Sequence, residues 1–182
     1  MNEIFKKISR LLSGLRSGFK VGGVFIVECR DKDGNLKWRD VAKNLVVNAG
    51  LNGLLDIMFH ASTQVTTWYV GLTGSSPSPA AADTMSSHSG WTEFTSYSES
   101  TRVAYNEAAA SSQSITNSAN VAAFSINGTG TVGGAFLVSE STKSGTSGTL
   151  FCCAAFSQGN KSVSSGDTVN VTYTLNAADD GA

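Results

Sequence analysis

The chain is poor in the residues that build most active sites. It has two histidines (His60 and His88), three cysteines, two prolines and a charged fraction of only 15 % over 182 residues. Three cysteines (Cys29, Cys152, Cys153), two of them adjacent, make no disulfide framework and show no C-x-x-C metal spacing. Successive residues of a strand face opposite sides, so Cys152 and Cys153 are expected on opposite faces, as reduced, partly buried thiols. No apolar run is long enough to span a bilayer, and Lys6, Lys7, Arg10 and Arg16 interrupt any leader-like core at the start. The expectation is a protein assembled in the cytoplasm, so the three N-x-S/T matches at Asn127, Asn160 and Asn170 are read as chance.

Catalytic constellations are missing too. His88 lies in Ser86-Ser87-His88-Ser89-Gly90, but adjacent loop residues do not form a triad, and no G-x-S-x-G elbow, phosphate loop, dinucleotide fingerprint or zincin motif occurs. Asp31 and Asp33 lack the other ligands of a calcium loop and read as a charged hairpin turn. Glu93, Glu99 and Glu107 are scattered. The reading is a non-enzyme with no cofactor, no metal and no small-molecule substrate.

What is present is strand and turn. Between residues 121 and 175 four apolar runs (122–126, 132–138, 149–156 and 168–175) are separated by Gly/Ser/Thr/Asn-rich turns. This spacing predicts a mainly β protein: an antiparallel β-sandwich or jelly-roll-like barrel with one short internal helix and an N-terminal amphipathic helical arm. The division is 1–22 arm and 23–182 body, the body holding a hairpin (24–43), a helix (49–60) and strands over 66–176. In the hairpin, Phe25, Val27 and Cys29 share one face and Val24, Ile26 and Glu28 the other. Asn48 is placed as the N-cap of the internal helix, whose Leu51, Leu54, Leu55, Met58 and Phe59 form one apolar face, while Gly50 and Gly53 allow close approach to another backbone. Trp68, Tyr69, Trp91 and Phe94 are assigned to packing. The polar stretch 73–90 holds both prolines. It is expected as a long loop, with one helical turn at 81–87 and the character of an interaction surface.

Charge is uneven. Residues 1–60 hold 10 Lys+Arg and 6 Asp+Glu, and residues 61–182 hold 3 and 8. The basic excess centres on residues 3–19, where Ile4, Phe5, Ile8, Leu11, Leu12, Leu15 and Phe19 recur at helical spacing with Lys6, Lys7, Arg10 and Arg16 on the remaining surface. Such a segment can pack on its own body, strap a neighbouring subunit or lie on anionic lipid. Gly14, Ser17, Gly18, Gly22 and Gly23 read as hinges and favour the strap. The apolar and basic residues of 4–19 (Ile4, Phe5, Lys6, Lys7, Ile8, Arg10, Leu11, Leu12, Leu15, Arg16 and Phe19) and Trp38 of the hairpin are the candidate partner-binding set. The acidic body argues against nucleic acid.

The hairpin through Asp31-Lys32-Asp33-Gly34-Asn35, the stretch Asn44-Leu45-Val46-Val47-Asn48-Ala49-Gly50, Trp68-Tyr69-Val70-Gly71-Leu72, Gly134-Ala135-Phe136-Leu137-Val138 and Gly166-Asp167-Thr168-Val169-Asn170-Val171-Thr172-Tyr173 together resemble structural proteins of tailed bacteriophages. The resemblance covers roughly 23–176 and leaves out residues 1–20. It implies a virion protein of the capsid decoration or cement type on the head surface, with the major capsid protein and copies of itself as partners. A neck or tail ring component, or a surface carbohydrate-binding module using Trp68 or Trp91, are the alternatives.

Overall fold

The computed structural model of the chain describes Glu3 and residues 18–179. Thirteen strands and one helix occur among them: β1 (Phe19–Arg30), β2 (Leu36–Lys43), β3 (Leu45–Val46), α1 (Asn48–Phe59), β4 (Trp68–Thr73), β5 (Glu93–Phe94), β6 (Val103–Tyr105), β7 (Ser114–Thr116), β8 (Ala122–Ser125), β9 (Gly130–Val132), β10 (Gly134–Val138), β11 (Leu150–Ala155), β12 (Lys161–Val163) and β13 (Thr168–Asp179). All pairings are antiparallel. One sheet runs β2-β1-β13-β7 with β8 also on β13; the second runs β3-β11-β10-β4-β5 with β6 also on β4; β9 and β12 form a ribbon. The protein is a mainly β, sandwich-like fold, and the described sheets do not close into a barrel.

The alternation read from sequence sets the inner faces. Phe25, Val27 and Cys29 of β1 and Val169, Val171 and Tyr173 of β13 point inward and meet Val70, Leu72, Ala135, Leu137, Cys152 and Ala154 of the second sheet. Phe25 and Tyr173 stack with centroids 4.2 Å apart. The hairpin turn closes by Gly34 N–H to Asp31 O (3.0 Å), with Gly34 at φ 85° as the turn requires. Between its partners β7 and β8, β13 has a gap. The Asn117 side chain fills it, donating to Val171 O (3.1 Å) and accepting from Tyr173 N–H (2.8 Å), so a buried amide stands in for a strand backbone.

The second sheet is covered on its outer face as well. Phe136, Val138, Leu150 and Cys153 form a separate buried cluster with Val47, Met85 and Trp91, the last two brought by the 74–91 loop. Cys152 and Cys153 thus face opposite sides, as alternation demands, and all three thiols are free and buried. Burial pushes Cys29 and Cys152 up to about 12 and raises Cys153 well above its ordinary value, so none is a thiolate at neutral pH. Gly71 carries this arrangement: a Cβ there would lie 2.1 Å from the Phe136 ring. Trp91 packs on that ring at 4.8 Å and the Arg102 guanidinium lies 5.4 Å from its centroid.

Arg102 itself is buried. It holds Glu93 through Nε (2.9 Å) and Nη2 (2.8 Å) and donates to the carbonyls of Glu140 and Gly145, both at 2.9 Å. The fork geometry satisfies the guanidinium and ties the 139–149 loop to the sheet. The 74–91 loop is anchored to the body through Met85 and Trp91, while residues 80–82, 86 and 87 stay exposed. The helical turn expected at 81–87 is replaced by a bridge between Thr84 and Ser87, after Pro77 and Pro79 have set extended backbone.

Two boundaries also differ from the sequence reading. Phe19 opens β1 instead of closing a helix, because residues 19–22 pair with residues 176–179 of β13, and the expected 22/23 division falls inside that strand. Asn48 is the first helical residue, and the cap position is Val47, in extended backbone with no side-chain bond.

Candidate partner-binding surface

α1 is seated by an irregularity in β11. The β10–β11 register shifts between Leu137 and Val138, so that Phe151 stands opposite no partner. Its carbonyl, left out of the β10–β11 ladder, accepts Val47 N–H (3.1 Å) at the start of the helix, while Asn48 N–H is bonded to Ala81 O (2.8 Å) in the loop. Gly50 then meets the bulge so closely that a Cβ would lie 2.4 Å from Phe151 O. With Gly50 against the sheet, the helical period turns Gly53, Leu54 and Ile57 toward the body. Leu51 (38 % exposed), Leu55 (51 %), Met58 (66 %) and Phe59 (81 %), at i, i+4, i+7 and i+8, are left facing out.

Beneath the helix lies an open cavity of ≈ 450 Å³ between α1, residues 62–65 and the ends of β4, β6, β7 and β13. Leu54, Trp68, Ile115, Phe151, Tyr173 and Leu175 give it an apolar lining. Asp56 and Glu107 are its charged lining residues, both acidic. The polar atoms at its floor are paired inside the protein. Tyr105 OH donates to Tyr173 O (3.2 Å) or Ile115 O (3.3 Å), and Tyr173 OH receives Asn44 Nδ2 (3.0 Å). Burial raises both phenols above their ordinary value. The site therefore presents mainly shape and apolar area.

His60 lies at the helix C-terminus, its N–H bonded to Asp56 O, and His88 stacks on Trp91 at 3.8 Å. No cluster of three His, Cys, Asp or Glu able to hold a metal occurs among the described residues. No described helix is long and apolar enough to cross a membrane.

Of the candidate residues read from sequence, Ile4, Phe5, Lys6, Lys7, Ile8, Arg10, Leu11, Leu12, Leu15 and Arg16 lie outside the described residues. Phe19 is exposed at the tip of β1. Trp38 is half-buried: its indole N–H donates to Ser162 O (3.0 Å) and its ring packs on Phe156 at 5.9 Å, so it serves the body. Trp91 is 4 % exposed and offers no ring face to a sugar; Trp68 is half-buried in the cavity wall. The reading missed the outward direction of Leu51, Leu55, Met58 and Phe59. The signal was there in Gly50 and Gly53, since the face of a helix that approaches another backbone most closely is its smallest.

Residues 45–175 match the family model of the podophage GP4 fiber I protein gp80. The chain belongs to this family. It is accordingly a structural protein of a phage virion. The matched span starts just before α1 and contains every residue lining the cavity, whereas the β1–β2 hairpin and the basic N-terminal segment precede it. No curated protein and no solved structure matches the chain.

Proposed function

We propose that the chain is a non-catalytic subunit of a virion fibre, and that it joins its assembly through the outer side of α1. The observation that carries this reading is the concentration of exposed apolar surface. Four of the nine large exposed apolar side chains among the described residues, Leu51, Leu55, Met58 and Phe59, stand on one twelve-residue helix above an open apolar cavity. A contiguous patch of this kind marks a protein contact, because covering it removes apolar area from water. The fibre description of the family supports the same reading.

Head decoration, the role implied by the resemblance in the sequence, would use the same surface against the major capsid protein, and stoichiometry separates the two. Quantitative mass spectrometry of purified particles is expected to find this chain as a small multiple of the tail's rotational order. A copy number close to that of the major capsid protein would place it on the head lattice, and its absence from particles would overturn both readings.

A further inference from the structure

We propose that the outer side of α1 and the cavity beneath it receive residues 4–15 of a second copy of this chain. The inference rests on the reading of α1 as a subunit contact and names what covers it.

Three observations converge. The first is complementarity of form. Ile4, Phe5, Ile8, Leu11, Leu12 and Leu15 are an apolar stripe at helical spacing. As a helix such a twelve-residue segment would be about 18 Å long, the length of α1 itself. A second stripe of equal length against Leu51, Leu55 and Met58 gives ordinary helix-to-helix packing, with one large side chain free to enter the cavity.

The second is charge. The segment carries Lys6, Lys7 and Arg10, followed by Arg16, against Glu3, and the charged residues lining the cavity are Asp56 and Glu107. Opposite charge at the rim orients the contact and disfavours a like-charged occupant.

The third is the exit path. β1 and β13 stay paired from Gly23/Leu175 to Phe19/Asp179 and run on as a ribbon past the end of β7 at Asn176. That ribbon carries the chain about 13 Å past the cavity-lining Leu175. Its tip is exposed on both strands at Phe19, Lys20, Ala178 and Asp179. Only Arg16, Ser17 and Gly18 lie between Leu15 and the tip, so return to its own α1 would require a tight turn at those residues, an outcome the crosslinking below separates. A neighbour's α1 needs no such turn. Each copy then gives one segment and receives one, a heterologous contact that closes into a ring or continues as a filament according to its rotation.

The test uses the full chain with single cysteines, the native thiols being buried. Leu11→Cys protein mixed with Leu55→Cys protein and mildly oxidised is expected to yield a disulfide-linked heterodimer, and the double variant a ladder of linked chains. An internally bridged monomer from the double variant, without a ladder, would overturn the proposal, as would no bridging at all. The fibre reading stands or falls separately, on the particle stoichiometry.

Discussion

The second sheet is covered in two places by two different elements. On its outer face the 74–91 loop brings Met85 and Trp91 down on Phe136, and nothing large and apolar is left in water there. At its end, α1 touches the sheet through Gly50 and leaves Leu51, Leu55, Met58 and Phe59 outside. The loop fits because Gly71 lets the Phe136 ring lie on the backbone, Pro77 packs on Gly134, and the Asn160 side chain accepts Ser76 N–H. The helix fits along an edge made of Ala49, Gly50, Gly53 and Leu54. Irregular chain can thus complete a core, while a regular amphipathic helix can stand above one with its larger face unmatched. In the first case the apolar groups stabilise the fold, and in the second they are available for assembly.

Substitutions under the two covers should therefore behave oppositely. The largest effect is expected under the loop. Arg102→Ala strands the buried Glu93 carboxylate and should cost about 3–5 kcal/mol by urea unfolding. Trp91→Ala removes the main contact on Phe136, with a loss of about 3–5 kcal/mol. A small effect of Trp91→Ala would mean that the 74–91 loop is a loose flap, and a small effect of Arg102→Ala that the Glu93 pair contributes little. Gly50→Ala should be intermediate, about 1–3 kcal/mol, because the new methyl displaces α1 from the Phe151 carbonyl.

Asp167 lies under neither cover and serves as an internal reference. Burial raises its carboxyl, but the bonds from Lys37 and from Ser164 N–H outweigh that and leave it below the ordinary 3.8. A depressed carboxyl contributes stability at neutral pH that is lost as the pH falls below 3.8 through its folded value. Asp167→Asn should be less stable at neutral pH, with a shallower loss on acidification. An unchanged acid limb would remove the Lys37 pair from the account. The smallest effect on the isolated protein is expected at the outer side of α1. Phe59→Asp should shift stability by no more than about 0.5 kcal/mol while it lowers association.

Much of the fold is legible in the chain because period two is a local property. The inward faces of β1 and β13, the turn at Gly34 and the opposed Cys152 and Cys153 all follow from it. What was not legible depends on partners distant in sequence. The run 132–138 reads as one strand but divides at Gly133, where a Cβ would lie 2.0 Å from Ser76 N in the loop. β12 is three residues with no alternation of its own and exists because β9 pairs with it. Phe19 continues the helical spacing of residues 4–15 in sequence, yet its partner is Asp179 at the far end of the chain. For α1 the period places Leu51, Leu54, Leu55, Met58 and Phe59 on one face, but the glycine contact with the Phe151 bulge decides which side meets the body.

The central claim is that the outer side of α1 exists for assembly. It is tested most directly by sedimentation velocity on the full chain, wild type beside a Leu55→Asp/Phe59→Asp variant, with thermal unfolding recorded on both. The account predicts an oligomeric wild type and a dissociated variant whose melting temperature measured at low concentration is nearly unchanged. A monomeric wild type, or a variant that assembles as well as wild type, would contradict it.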